Sequence, residues 1–148
     1  MTRKTISYAR KRRARGLTSN LPINMRFSRD VETKLQLIPH DSLANFKAGR
    51  QTEPDWHTLA ARCNLGSTLA RDHFEEATQT MNAAIEALAS SWQRFKRLGR
   101  MGMTGDEYNA VAAALVLTDD MQKLSTRREL DAAMTTVFQQ AAILDKQP

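Results

Sequence analysis

The chain has 148 residues, 41% of them hydrophobic and 6% aromatic, with a net charge of +6. That is one domain's worth of sequence with enough apolar content for a modest core, which excludes a multidomain architecture and a wholly disordered tail. Four Pro, six Gly and an abundance of Ala, Leu, Gln, Glu, Arg and Met exclude a β-sandwich or barrel and predict an all-α protein. Cys63 is the single cysteine, so neither an internal disulfide nor a Cys-based zinc site can form, and a cytoplasmic, reducing compartment is expected. No stretch approaches the roughly 20 apolar residues of a membrane span; the longest run is Ala110 to Leu117.

The charge is segregated. Residues 1–29 hold nine bases and no acid, whereas the remaining 119 residues carry 13 bases and 16 acids. A +9 arm on a body of −3 fits contact with a polyanion, because each Lys or Arg placed on a phosphate releases counterions whatever the base sequence. Arg10, Lys11, Arg12, Arg13 and Arg15 form the densest part of the arm and are its expected nucleic-acid contacts. The segment from Tyr8 to Arg15 has too few apolar residues for the amphipathic face of a transit peptide.

After the arm, residues 23 to 27 alternate apolar and polar, which predicts a short extended segment and places the domain boundary at about residue 28. Val31, Lys34, Leu35 and Ile38 then follow helical spacing up to Pro39, where a helix should stop or kink. A second short helix is predicted from Asp41 to Ala48, with Leu43 and Phe46 inward and Gly49 as its stop. Thr52, Glu53, Pro54 and Asp55 make a strong start signal, combining a cap hydroxyl, a first-turn proline and acids at the positive end of the helix dipole. From there apolar residues keep one phase from Trp56 to Phe95, across Gly66, and predict one helix over 53–98, about 70 Å long, with a bend at 64–66.

Gly99 to Met103 is the next break. Thr104 with Glu107 and Thr126 with Glu129 each form a capping box, so 105–144 is predicted as one kinked helix or two collinear ones. The short connection makes this region antiparallel to 53–98. The predicted architecture is a long helical hairpin with short N-terminal helices at its base. A hairpin has one seam and leaves apolar surface over, so homodimerisation or docking on a larger partner follows. Trp92, Phe95 and Met101, near the loop that the N-terminal helices are least able to reach, are the expected protein-binding residues.

Catalytic and metal chemistry find little support. His57 and His73 are 16 residues apart, about 24 Å along one helix, too far to share a metal, and Glu53 with His57 reads as an i,i+4 ion pair. Cys63 has Leu59 and Ser67 at i±4 and no base to activate it, so it reads as a buried core residue. Gly99, Gly102 and Gly105 lack the spacing and preceding strand of a phosphate-binding loop. No enzyme, metal or cofactor is predicted. A sharper nucleic-acid reading is that residues 23–31 are similar to the strand and helix opening of ribbon-helix-helix repressors, with Asn24, Arg26 and Ser28 as groove readers.

The residues Gly49 to Glu53, Trp56, Leu59, Ala60, Asn64 and Ala70 stand about 45 residues before a second group. That group comprises Tyr108, Val111, Ala114, Leu117, Gln122, Leu124, Glu129, Leu130 and Ala133. This pattern of helix faces, over about Leu43 to Ala142, resembles a group of short helical proteins of proteobacterial prophages and integrative elements. The resemblance implies an accessory gene of a mobile element and carries no catalytic residues. By analogy with such genes, the expected function is a non-enzymatic inhibitor that docks on a host nucleoprotein or defence complex, as anti-CRISPR proteins do. The alternative is a dimeric DNA-binding regulator using Asn24, Arg26 and the basic arm.

Overall fold

A computed structural model describes the backbone of residues 29–145 and the side chains of residues 36–140. The described residues form five α-helices: α1 (Arg29–Ala48), α2 (Glu53–His73), α3 (Thr78–Leu98), α4 (Gly105–Leu124) and α5 (Arg127–Asp145). A single 3₁₀ turn, Glu75–Ala77, lies between α2 and α3. The fold is all-α, and none of these helices is long and apolar enough to cross a membrane. Helix α2 is the hub: it packs on α1, α3, α4 and α5, while α1 and α3 also pack on α4.

Two expectations about helix boundaries are corrected. The two short helices predicted around Pro39 are one helix, α1, with Pro39 inside it. An interior proline loses one backbone hydrogen bond and costs about 3 kcal/mol. Here Pro39, Ser42 and Leu43 are all buried, and that packing offsets the loss. The long helix predicted over 53–98 is two helices folded back on each other. Phe74 leaves helical geometry at φ −136°, ψ 65°, and its side chain is buried. The chain then turns through Glu75–Ala77 into α3, so each arm is 21 residues, about 30 Å.

Helix α3 runs antiparallel to α2, bringing Trp92 onto Trp56 with ring centroids 4.5 Å apart and Met81 against Gly66. Gly66 is a point of close approach between α2 and α4, at Thr118. The buried residues Leu59, Cys63, Leu69, Met81, Val111, Leu115 and Met121 form the core around it. Because α2 has four neighbours, this core closes within the chain, unlike the single seam of the predicted hairpin.

The predicted capping boxes at Thr104 and Thr126 form. Thr104 Oγ1 accepts from the Glu107 amide at 3.2 Å, and Glu107 accepts from the Thr104 amide at 2.8 Å. Thr126 and Glu129 do the same at 3.0 and 3.2 Å, and there the chain reverses. The expected single kinked helix or collinear pair over 105–144 is corrected to α4 and α5 running in opposite directions, α5 packing back along α2. Gly49 and Gly99 both take φ +73° at helix ends, the left-handed stop that glycine adopts without strain.

At the α2 start, Asp55 accepts from the Thr52 amide at 2.9 Å and faces Asn45 Nδ2 of α1 at 3.3 Å. Desolvation by burial pushes this carboxyl up, but the Thr52 amide and the Asn45, Ser42 and Thr52 side chains together hold it below its ordinary value. A lowered folded-state pKa contributes stability that is present above the ordinary carboxylate range and lost as pH falls through the folded value. Tm should therefore drop more steeply between pH 6 and pH 3 for the native chain than for Asp55→Asn, and equal slopes would show that the junction does not depend on this charge.

Candidate functional site

The face between α1, α2 and α5 carries a groove of about 380 Å³. Its existence follows from the order of the elements. Helix α5 lies along α2 antiparallel to it, with Glu129 Oε2 3.3 Å from His73 Nδ1 at one end and Phe138 beside Thr58 at the other. Helix α1 also lies on α2, and α1 and α5 form the two walls. Ile38 and Pro39 line the α1 side, Met134, Val137 and Phe138 the α5 side, and Ala61 and Leu65 of α2 lie between. Ile38 is 54% and Phe138 68% exposed, and Met134 is also open to solvent.

An ionic clasp borders the groove. Asp119 of α4 accepts from Arg62 Nη2 of α2 at 2.8 Å through one oxygen, and lies 2.8 Å from His40 Nε2 of α1 through the other. One carboxylate thus ties three helices together and sets the α1 wall against α2. Arg62 is 9% exposed. Its Nε, and Oε1 of the equally buried Gln122, have no hydrogen-bond partner, and both residues line the groove.

The remaining candidate chemistry resolves into local contacts. Burial pushes the Cys63 thiol up to about 12 against the opposing charge of Arg62, so it is held as an inert thiol. His57 lies 3.5 Å from Glu53, the predicted i,i+4 pair, whereas His73 meets Glu129 of α5. Among the described residues no cluster of three or more His, Cys, Asp or Glu is arranged to hold a metal ion.

The expected nucleic-acid residues Arg10, Lys11, Arg12, Arg13, Arg15, Asn24 and Arg26 lie outside the described residues. Trp92, Phe95 and Met101 are brought together at one end of the bundle and are all half-buried. The Trp92 ring lies 5.4 Å from Phe95, and Ser91 Oγ lies 3.9 Å from Met101 Sδ. One expectation about this end is corrected: the N-terminal part of the body does reach it, since Gln51 Nε2 donates to the Met101 carbonyl at 2.6 Å. The groove is what sequence reasoning missed. Its walls are contributed by α1 and α5, far apart in sequence, so no local pattern marks it.

No family model, curated protein or solved structure matches the chain.

Proposed function

We propose that this chain is a non-enzymatic interaction protein whose groove grips an apolar segment of a protein partner while its basic N-terminal arm contacts nucleic acid or nucleoprotein. The observation that carries this reading is the groove itself: exposed Ile38, Met134 and Phe138 around an apolar trough. Large exposed apolar residues gathered in one concavity mark a recognition surface, and a helix laid in such a groove is anchored by side chains at i, i+3/i+4 and i+7. The arm adds electrostatic attraction to phosphate that is independent of base sequence. The resemblance to mobile-element proteins supplies the biological form of the proposal: occupation of a subunit surface in a host nucleoprotein or defence complex, in the cytoplasm.

The test is a paired capture. The native chain and Met134→Glu/Phe138→Glu are used as baits in host extract, with and without nuclease. Both side chains are exposed, so the melting curves should agree to within about 1 kcal/mol in stability. The proposal expects a nuclease-resistant protein that only the native bait retains. Retention by both baits removes the groove from the mechanism. A native chain that sediments as a dimer, with a monomeric variant, reassigns the groove to self-association and favours the regulator.

A further inference from the structure

The fold divides the charge of the body a second time. The loops joining α1 to α2 and α3 to α4 meet at one end of the bundle, joined by the hydrogen bond from Gln51 to the Met101 carbonyl. Around that junction Lys47, Arg50, Lys96, Arg97 and Arg100 are all exposed. The acids nearby are engaged: Asp55 with Thr52 and Asn45, Glu53 beside His57, and Glu107 with Arg94 and the Thr104 amide. Asp106 is the further exposed acid at this end. The exposed acids Asp72, Glu75 and Glu76 gather instead at the α2–α3 turn, the opposite end. With Glu107 neutralised by Arg94, the exposed cations Lys47, Arg50, Lys96, Arg97 and Arg100 outnumber the carboxylates Glu53, Asp55 and Asp106, so a body that nets −3 presents one net-positive end.

Aromatic rings lie among these cations. Lys96 Nζ is 5.9 Å from the Trp92 ring centroid, and Lys47 Nζ is 6.0 Å from that of Tyr108. His57, more than half exposed, has its ring 5.5 Å from Trp92. Helices α1 and α3 flank the α2–α4 pair, so the cations extend across about two interhelical spacings, roughly 20 Å. A nucleic-acid strand places a phosphate about every 3.4 Å along a helix axis, and about six of them fit that span. Flanking cations with ring edges between them provide both backbone neutralisation and a surface on which a base can stack.

We propose that this end of the bundle is a nucleic-acid contact on the folded body, engaging the phosphodiester backbone through Arg50, Lys96, Arg97 and Arg100. It deepens the reading that the chain contacts nucleic acid, and adds a face separate from both the arm and the groove. The chain's two tryptophans, Trp56 and Trp92, both lie here, so their fluorescence reports on this face directly.

The experiment uses the full-length chain with the arm silenced by R10A/K11A/R12A/R13A/R15A. It is titrated at low salt with a 20-nucleotide single strand and, separately, with the matching duplex. Saturable tryptophan quenching is expected, and the tighter of the two arms identifies the form bound. Adding K96A/R97A/R100A should weaken binding at least tenfold and make the salt slope shallower by about 2 to 3. K47A/R50A should weaken it on the other side of the same end, while R127A/R128A at the α5 start should leave it within twofold. If the arm-silenced chain does not bind but the native chain does, the arm reading stands and this face falls. If the native chain does not bind either, both fall. Equal loss from R127A/R128A, or displacement of the oligonucleotide by polyglutamate at equal charge concentration, would assign the effect to general charge or to an acidic protein surface and overturn the proposal.

Discussion

Replacing Gly66 by alanine is expected to lower the unfolding free energy by about 2 kcal/mol, although the same change in an exposed helix would raise it by about 1. The difference in sign comes from the α2–α4 crossing. A methyl group at Gly66 would meet Thr118 Oγ1 and Met81 Cε well inside van der Waals contact. Met81 is flexible and can move aside. Thr118 cannot: it is β-branched on a helix, fully buried, and its hydroxyl donates to the Ala114 carbonyl at 2.7 Å. The helices must separate, and contacts around Leu59 and Leu115 loosen with them. Urea unfolding followed by circular dichroism measures the loss, together with a fall in Tm of about 4–8 °C. In a Thr118→Ala background the same substitution should cost much less, since the rigid Thr118 hydroxyl is gone and Met81 can move aside. Stabilisation by Gly66→Ala in both backgrounds would show that the helices do not cross at this residue.

Asp119→Ala is expected to cost about 3 kcal/mol, the larger of the two effects. The substitution removes the acceptor of Arg62 and the partner of His40 together. Arg62 is then left as a cation more than nine-tenths buried with no counter-charge, and such a stranded charge costs more than the intact pair contributes. Asp119→Asn, which keeps an acceptor and loses the charge, should fall between. Adding Arg62→Leu to Asp119→Ala should recover part of the stability, because the stranded charge goes with it. The groove provides a second readout: with the α1 wall no longer held against α2, partner capture should weaken along with stability. A cost below about 0.5 kcal/mol would place the clasp among solvent-screened surface bridges and remove it as the element that sets the groove.

The helix starts and stops were legible in the sequence wherever a local chemical signal encodes them. Thr52, Thr104 and Thr126 each open a helix, and Gly49 and Gly99 each close one, because a cap satisfies backbone groups within four residues of itself. Residues 30–48 and the turn at Phe74 differ from the sequence expectation, each for its own reason. The cost of Pro39 is local to the backbone, whereas the packing that offsets it comes from other helices. At Phe74 no Gly or Pro marks the turn, and a four-residue reversal happens to preserve the apolar phase. The dipole signature was present, with Arg71 and His73 before the turn and Glu75 and Glu76 after it, but periodicity outweighed it.

The candidate site was less legible. Leu65 and Leu130, which line it, carry no local signal of a groove, and Arg62 and Asp119, 57 positions apart, carry no local pattern that pairs them. What the sequence determined by itself is therefore the helical class, the caps, the burial of Cys63 and the basic arm, all of which depend on composition or on residues within a few positions of one another. The tertiary structure decided that α2 folds back under α3 at Phe74, that α1 and α5 face each other across a groove, and that Lys47, Arg50, Lys96, Arg97 and Arg100 converge at one end. Those outcomes depend on which helices pack side by side, a choice made by steric fit at places such as Gly66 against Thr118 and by charge neutralisation at Asp119, between residues that sequence spacing does not relate.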